Sequence, residues 1–428
     1  MVEVLVCGGG PAGAVAALVL ARRGVRVLVV EAAPQAGCRP WGLVSSPDAL
    51  DALGRLGLAE AATRTGWPWQ GMLVRRVGRR RVSEVHTRPG CAVDRRAFAA
   101  ALVEAAAAAG AQVQHGVRAA EPLLDEAVVR GAVLEMGPRR VRMPAAVTIA
   151  ADGRQSSLGW SLGLLRHPGR VRRWALGARF AGVVGMTSRR ELHLDRRWWL
   201  GLTPLADGLT AACVVDPEAM PGQVPLERLR ASLATDRELS LRFAHAEPVE
   251  PAHAAGPLEV EAPVAGCRGL LLAGDAAGCA DPITGEGLRL AVRGGELAAE
   301  VALAMLEDPG DDALRRAVEL LAATRPTAVN LRWALERVAA ALGSVPPPLR
   351  AGRAATEAAR IAEEDVAACA AIGRHGLQIL QRIAGGRGGR PVRVLTHCNA
   401  GWLACVDWGT ALAPVYAAHE AGLAVHVW

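Results

Sequence analysis

The stretch VEVLVCGGGPAGAVAALVLARRGVRVLVVE, residues 2–31, decides the fold of the first part of the chain. It opens with an apolar, β-branched run that predicts a buried parallel strand. Gly8, Gly10 and Gly13 follow at the spacing of a dinucleotide-binding turn. Glycines there allow a tight turn, close approach of a pyrophosphate and close packing of helix on strand. This stretch therefore predicts a phosphate-binding turn.

The residues around these glycines complete the motif. Pro11 and Ala12 lie inside the turn, and residues 14–23 predict a helix whose amino end offers N–H groups and a positive dipole to phosphate. A second predicted strand ends at Glu31, about 20 residues beyond the glycines, where a carboxylate can accept ribose hydroxyl groups. We therefore predict a dinucleotide site formed by Gly8, Gly10, Pro11, Ala12, Gly13 and Glu31.

The composition indicates a globular protein of two or three domains, since 51% of the 428 residues are hydrophobic and 21% are charged. All 49 basic residues are arginines, which excludes chemistry that needs a lysine Schiff base or a P-loop lysine. The net charge of +7 is spread along the chain, and its densest cluster, residues 75–81, contains no aromatic residue. We therefore expect no nucleic-acid partner.

The nine cysteines are scattered, with no CxxC pair and no metal-finger spacing. Because the sequence shows no secretory segment either, we expect reduced thiols, a cytoplasmic location and no metal site. No apolar run is long enough to predict a transmembrane helix, although peripheral contact with a membrane stays open.

Four further features resemble parts of a cofactor site. Asp152-Gly153 and Gly274-Asp275 each follow a predicted buried strand, where an aspartate can bind a ligand hydroxyl or, alternatively, cap a turn or helix. Arg95 begins one predicted helix. Another predicted helix begins at the run Gly285-Glu286-Gly287. The positive amino end of that helix would stabilise negative charge.

Together, the GGGPAG turn, the strand-end DG and the late GD resemble FAD-dependent oxidoreductases of the geranylgeranyl reductase and para-hydroxybenzoate hydroxylase superfamily, over about residues 1–343. The resemblance implies an α/β fold, in which a Rossmann-like FAD-binding domain of the GR2 type is interleaved with an antiparallel β-sheet substrate domain. It implies FAD as cofactor, with its pyrophosphate on the glycine turn, its adenosine ribose on Glu31 and its ribityl chain on Asp275. Arg95 would lie near the FAD, and Asp152-Gly153 matches a motif linked to both flavin and nicotinamide cofactor.

The run GDAAGCADPITGEGL is more similar to the geranylgeranyl reductase branch than to the ring hydroxylases, which usually carry a histidine where this chain has Gly278. The resemblance implies an oxidoreductase that acts on an apolar small molecule with NAD(P)H or another reductant. An aromatic monooxygenase is the alternative. Halogenation is not expected, because the W-x-W-x-I-P motif of flavin-dependent halogenases is absent.

Some candidate substrate-site residues keep two interpretations. Cys38 lies near the position of a cysteine–glycine motif in the reductase branch, so it is either a catalytic residue or an ordinary loop thiol. Trp174, Trp198 and Trp199 either line an apolar substrate pocket or pack in the core of a sheet.

The chain order predicts the domain organisation. FAD-binding parts are expected at about residues 1–60, 92–165 and 265–310, and the substrate sheet at about residues 67–91 and 170–260. A proline-rich boundary is expected at residues 344–351, because three consecutive prolines cannot continue a helix.

Residues 352–428 resemble a different family. The runs EEDVAA, AIGRHG and above all LTHCNAG are similar to methylthioribose-1-phosphate isomerase, which predicts a helical and partial βαβ segment here. In that family the cysteine of THCN is catalytic in an aldose–ketose isomerisation, and Cys398 is the matching residue. The segment lacks the family's amino-terminal domain and partner aspartate, so we expect a fused or truncated fragment that is inactive. Isomerisation through Cys398 is the alternative.

Overall fold

The computed structural model describes residues 2–34, 43–64, 66–77, 82–85, 88–169, 173–216, 224–279, 282–306, 311–324, 329–386, 388, 390–397, 401 and 405–428. The chain divides into two compact units, Met1–Glu307 and Asp308–Trp428. This division lies ahead of the boundary that the prolines at residues 344–351 predict.

The strands of the first unit form four sheets among its described residues. They are, in chain order, β1 Val4–Cys7, β2 Val27–Glu31, β3 Leu43–Ser45, β4 Gly66–Trp69, β5 Met72–Arg76, β6 Val82–Val85, β7 Gly90–Val93, β8 Gln112–His115, β9 Arg118–Asp125, β10 Val128–Met136, β11 Arg139–Pro144, β12 Val147–Ala150, β13 Trp174–Ala181, β14 Arg190–Leu194, β15 Trp199–Pro204, β16 Thr210–Asp216, β17 Glu247–Pro248, β18 His253–Ala255, β19 Gly266–Cys267 and β20 Leu270–Leu272.

The helices of the first unit are α1 Pro11–Arg22, α2 Pro47–Arg55, α3 Ala59–Arg64, α4 Arg95–Ala108, α5 Ser157–Ser161, α6 Pro225–Ala234, α7 Arg237–Arg242 and α8 Gly287–Leu306. Short 3-10 turns occupy Ala206–Gly208, Gly274–Ala277 and Pro282–Thr284. Within the described ranges of the whole chain, no helix has both the length and the apolar character needed to cross a membrane.

The predicted Rossmann-like sheet is confirmed. Its described strands are ordered β19-β20-β12-β1-β2-β8, and every neighbouring pair except β19 and β20 is parallel. β1 is apolar and buried along its whole length, as expected for a parallel strand covered on both faces. α1 packs against both α4 and α8, which encloses the helix that follows the glycine turn.

The antiparallel sheet is also present, but its bounds differ from the predicted residues 67–91 and 170–260. Among the described residues, β5, β6 and β13 to β18 form one eight-stranded, mostly antiparallel sheet. β4 and β7 instead pair in a separate three-stranded sheet with β3. Gly66 permits this pairing, since a Cβ there would lie only 2.3 Å from the sulfur of Cys91 in β7.

The second unit consists of α9 Asp311–Thr324, α10 Val329–Leu342, α11 Pro347–Gly385, β21 Val392–Val394, α12 Ala413–Glu420 and β22 Val425–Val427. β21 and β22 are parallel with α12 between them, which is the predicted partial βαβ unit. Pro347 begins α11, because a missing N–H is tolerated in the first turn of a helix. α11 packs against α10, so the helices before and after the prolines belong to one unit.

Candidate functional site

The predicted cofactor residues converge on one edge of the parallel sheet. β20, β12, β1 and β2 are parallel neighbours, so their carboxyl ends lie side by side. Gly8 follows β1, Asp152 comes shortly after β12, Gly274 shortly after β20, and Glu31 ends β2. Open parallel sheets bind ligands at this carboxyl edge. The topology therefore gathers the predicted residues from distant parts of the sequence.

Gly8 and Gly13 make the turn between β1 and α1 tight. Gly8 has a φ of +110°, and a Cβ there would lie 2.4 Å from the carbonyl oxygen of Ala151. A Cβ on Gly13 would lie 1.9 Å from the carbonyl oxygen of Gly8. Both separations are far shorter than van der Waals contact, so larger residues require the backbone to move.

Gly10 has the opposite role, because it leaves open space. Among the described residues, no atom lies within 4 Å of a Cβ built on Gly10. Gly10 caps α1 without a side-chain hydrogen bond, and Pro11 begins the helix. The backbone N–H groups of Ala12 and Gly13 in the first turn are thus available to a phosphate oxygen.

Glu31 lies against the glycine turn and is held by backbone donors. The N–H of Gly9 donates to Oε2 over 2.7 Å, and the N–H of Ala33 donates to Oε1 over 2.9 Å. A carboxylate oxygen has the capacity for more than one hydrogen bond, so each oxygen of Glu31 can accept another. Glu31 is therefore oriented and can still accept ribose hydroxyl groups.

Asp152 presents an unused acceptor. Its Oδ2 accepts from the N–H of Ser157 over 3.1 Å, whereas the buried Oδ1 has no hydrogen-bond partner among the described residues. Burial raises the pKa of Asp152 above its ordinary value, although hydrogen bonds from Ser156 and Ser157 act in the opposite direction. Burial, and then the Asp152 charge, also raise the pKa of the Cys7 thiol. A buried acceptor without a donor is costly, so a ligand donor fits here.

Asp275 lies in the 3-10 turn that follows β20. Gly274 has a φ of +63°, and a Cβ on it would lie 2.8 Å from the Cβ of Ala12 in α1. The Asp275 side chain is partly buried, and its carboxylate makes no hydrogen bond to another residue of the described ranges. The turn therefore holds an unused carboxylate close to the glycine turn.

The start of α8 borders the same region. Gly285 has a φ of +72°, Glu286 pairs with Arg289, and Gly287 is the first residue of α8. Further along α8, a Cβ on Gly295 would lie 2.3 Å from the carbonyl oxygen of Ala12. Gly295 therefore permits α8 to pack on the first turn of α1. Sequence reasoning missed Gly295, although a glycine pair inside a helical pattern is a signal of close packing.

Three predicted residues are less closely tied to this edge. Arg95 is the first residue of α4, after Asp94, which caps the helix by accepting from the N–H of Ala97 over 2.9 Å. α4 borders the glycine turn, but the proximity of Arg95 to a cofactor stays a prediction. Cys38 and Cys398 lie outside the described residues.

The donors and acceptors at this edge fit FAD. The open space at Gly10 and the free N–H groups of α1 match a pyrophosphate. The unused oxygens of Asp152 and Asp275 match hydroxyl or N–H donors, which FAD carries on its ribityl chain and flavin ring. The site has the chemistry of a dinucleotide cradle.

The tryptophans pack against apolar clusters of the eight-stranded sheet. Trp198 contacts the apolar cluster that α6 and α7 share with the sheet, and Trp199 packs against Val215 and Leu258. Trp174 lies against Gly256, where an added Cβ would be 2.4 Å from the indole ring. These contacts support the core-packing interpretation of the three tryptophans, all of which are partly buried.

A separate cavity of about 290 Å³ on the eight-stranded sheet contains a buried charge cluster that sequence reasoning missed. The carboxylate of Glu191 accepts from Arg242 over 2.6 and 2.8 Å and from Nε2 of His193 over 2.9 Å. Burial acts to raise the pKa of Glu191, but the hydrogen bonds from His193 and Arg242 outweigh burial and lower the pKa to about 2. We assign this cluster a role in stability.

Replacing Glu191 by glutamine should lower the free energy of unfolding by about 3 kcal/mol near pH 7, because Arg242 then loses its buried partner. The folded-state pKa of about 2 lies below the ordinary value of about 4.3. The contribution of Glu191 is therefore complete above the ordinary value and is lost as the pH falls towards 2. Near pH 3 we expect less than half of this loss in the free energy of unfolding, measured by urea denaturation.

The matched control is Glu247→Gln, since the Glu247 side chain is 80% exposed in its ion pair with Arg230. This variant should change the free energy of unfolding by less than about 1 kcal/mol at either pH. A destabilisation by Glu191→Gln that stays constant between pH 7 and pH 3 would contradict the assignment.

Two different parts of the chain are similar to two different groups of known proteins. Residues 1–195 match a family model described as FAD binding domain, and residues 283–428 match one described as the initiation factor 2 subunit family. The methylthioribose-1-phosphate isomerase of Methylorubrum populi is 65% identical over 128 residues, which are 30% of this chain and 35% of the isomerase. The chain thus spans about a third of the length of that relative.

Solved structures resemble the chain over most of its length. The myxobacterial chondrochloren halogenase has a TM-score of 0.65 at 20% identity, covering 76% of this chain and 81% of the halogenase. A geranylgeranyl bacteriochlorophyll reductase-like protein of Thermoplasma acidophilum has a TM-score of 0.61 at 21% identity, covering 82% of this chain and 89% of its own. These likenesses show the fold alone. The prediction of an FAD-binding domain joined to an isomerase-like region is confirmed.

Proposed function

We propose that the protein is an FAD-dependent oxidoreductase that acts on an apolar small molecule with NAD(P)H or another reductant. The observation that carries the proposal is the carboxyl edge of the parallel sheet, where an open glycine turn meets the unused oxygens of Asp152 and Asp275. The match of residues 1–195 to an FAD binding domain supports the cofactor. The similarity of the run GDAAGCADPITGEGL to the geranylgeranyl reductase branch supports reduction of an apolar substrate.

FAD, when bound, supplies the hydride and electron-transfer chemistry. The chain's own residues bind and orient the cofactor. The N–H groups at the start of α1 bind its pyrophosphate, and Glu31 orients its adenosine ribose. Asp275 would accept hydrogen bonds from the ribityl hydroxyl groups, and the amino end of α8 would favour negative charge on the flavin ring.

An absorbance spectrum of the purified chain, with and without added FAD, tests this proposal. We expect a flavin spectrum that bleaches on anaerobic reduction by NAD(P)H or dithionite. Oxygen consumption coupled to NADPH and a phenolic substrate would identify the aromatic monooxygenase instead, and a halogenated product would identify a halogenase. A colourless preparation that does not bind added FAD would contradict the proposal.

A second candidate activity rests on the isomerase-like region. The 65% identity to methylthioribose-1-phosphate isomerase favours isomerisation through Cys398, but the chain covers only 35% of that relative. We propose that this region does not isomerise by itself, because a nucleophile needs its base and phosphate site. The purified chain should leave methylthioribose 1-phosphate unchanged. Turnover that Cys398→Ala abolishes would establish the isomerase.

We also propose a cytoplasmic location and no nucleic-acid partner. None of the cysteines among the described residues forms a disulfide, which supports a reducing compartment. The basic residues pair widely with acids, as Arg179 does with Glu250 over 2.6 Å, so their charge is locally compensated. Weak retention on immobilised DNA at physiological salt would support the second point.

A further inference from the structure

We propose that Asp365, Cys369 and Cys405 form a binding site for a thiophilic divalent metal ion such as Zn²⁺ in the second unit. Their ligand atoms, one carboxylate oxygen and two sulfurs, all lie within 4.8 Å of one another. Thiolate sulfur and carboxylate oxygen are ligands that Zn²⁺ takes in tetrahedral sites, and three protein ligands leave one position for water. The sequence contains no metal-finger spacing that would indicate this site, because Cys405 lies far along the chain from Cys369.

The helix α11 places two of these side chains side by side. Asp365 and Cys369 are four residues apart on that helix, so they project from the same face. The segment that contains Cys405 is anchored to this face, because Oδ2 of Asp365 accepts from the N–H of Val406 over 3.2 Å. The second carboxylate oxygen of Asp365 is then available to a metal.

The distances allow coordination after the ligand atoms move slightly closer together. Two sulfurs bound to a tetrahedral Zn²⁺ at about 2.3 Å are about 3.8 Å apart. An oxygen and a sulfur bound to the same ion are about 3.5 Å apart, so the ligand atoms, which lie within 4.8 Å of one another, need to approach by about 1.3 Å at most. Rotation of the Cys405 side chain, which is only partly buried, can supply this movement.

The charges of the cluster favour a cation. Cys369 is only 1% exposed, and a carboxylate oxygen of Asp365 lies within 4.8 Å of its sulfur. This carboxylate opposes a negative charge on the Cys369 sulfur. A divalent cation would reverse this effect, since coordination deprotonates a thiol and offsets the surrounding carboxylates.

The test uses the full chain, stripped of metal by a chelator and kept reduced, with Co²⁺ as the spectroscopic probe. We expect one equivalent of Co²⁺ per chain, a sulfur-to-cobalt charge-transfer absorption, and displacement of the Co²⁺ by Zn²⁺. Cys405→Ser and Asp365→Asn should each weaken Co²⁺ binding at least about tenfold, and Cys405→Ser should reduce the charge-transfer band. Both side chains are only partly buried, so these variants should fold more readily than one at Cys369.

The matched control is Cys267→Ser in the first unit, which removes another partly buried thiol and should leave Co²⁺ binding unchanged. Circular dichroism of each variant verifies folding. Three results would overturn the proposal: no sulfur-to-cobalt band in the unmodified chain, equal Co²⁺ binding by the unmodified chain and Cys405→Ser, or a Cys369–Cys405 disulfide that persists under reducing conditions.

Discussion

Replacing Gly13 by alanine is expected to give the largest combined loss of stability and cofactor binding. The added Cβ would lie 1.9 Å from the carbonyl oxygen of Gly8 and 3.1 Å from Cγ1 of Val6. To remove this clash, α1 must move away from β1 at the centre of the sheet, where both elements are buried. We expect a loss of about 3 kcal/mol in the free energy of unfolding. FAD binding should fall below detection.

The informative control is Gly10→Ala in the same turn. Gly10 has φ of −70° and ψ of 179°, which alanine adopts without strain, and a Cβ there meets open space among the described residues. The stability of the FAD-free chain should change by less than about 0.5 kcal/mol. The affinity for FAD should still fall at least about tenfold, because the methyl group occupies the space for the pyrophosphate.

Urea denaturation and FAD titration of both variants separate the two effects. The packing role of Gly13 predicts a destabilised chain, and the ligand-approach role of Gly10 predicts a stable chain with weak FAD binding. If Gly10→Ala binds FAD as tightly as the unmodified chain, the pyrophosphate does not lie on this turn.

Replacing Asp275 by alanine is expected to give the second largest effect, and this effect is on the affinity for FAD alone. The carboxylate makes no hydrogen bond within the described part of the chain, so its removal should leave the stability of the FAD-free protein unchanged. A hydrogen bond to a charged acceptor contributes about 1.5–3 kcal/mol. We therefore expect the dissociation constant for FAD to rise about 10- to 100-fold, measured by quenching of flavin fluorescence.

Asp125→Ala is the matched control for Asp275→Ala. The Asp125 side chain is 71% exposed at the end of β9 and lies within ion-pair distance of Arg130. Its removal should leave the dissociation constant for FAD unchanged. An equal FAD affinity for Asp275→Ala and the unmodified chain would show that the 3-10 turn after β20 does not contact the cofactor.

The charge cluster in the eight-stranded sheet and the candidate metal site show what the sequence did not predict. Glu191 and His193 lie two residues apart in β14 and therefore share one face of the strand. Nothing in the local sequence reveals that Arg242 of α7 also donates to the carboxylate of Glu191. Cys369 and Cys405 likewise belong to different segments, and only the fold of the second unit brings their sulfurs together. Such contacts depend on which elements pack, which hydrophobic periodicity does not specify.

The amino-acid sequence by itself determined the β1–α1–β2 unit. An apolar run, glycines at fixed spacing and an acid at the strand end act through local sterics and short-range hydrogen bonds, so residues 2–31 carry their own structure. It also located Asp152 and Asp275 at strand ends, but it could not place those ends next to Gly8. Only the strand order β20-β12-β1-β2 did so, together with the close packing of Gly295 on Ala12. Strand order is decided by burial and connection geometry over the whole chain, and these are properties of the tertiary structure.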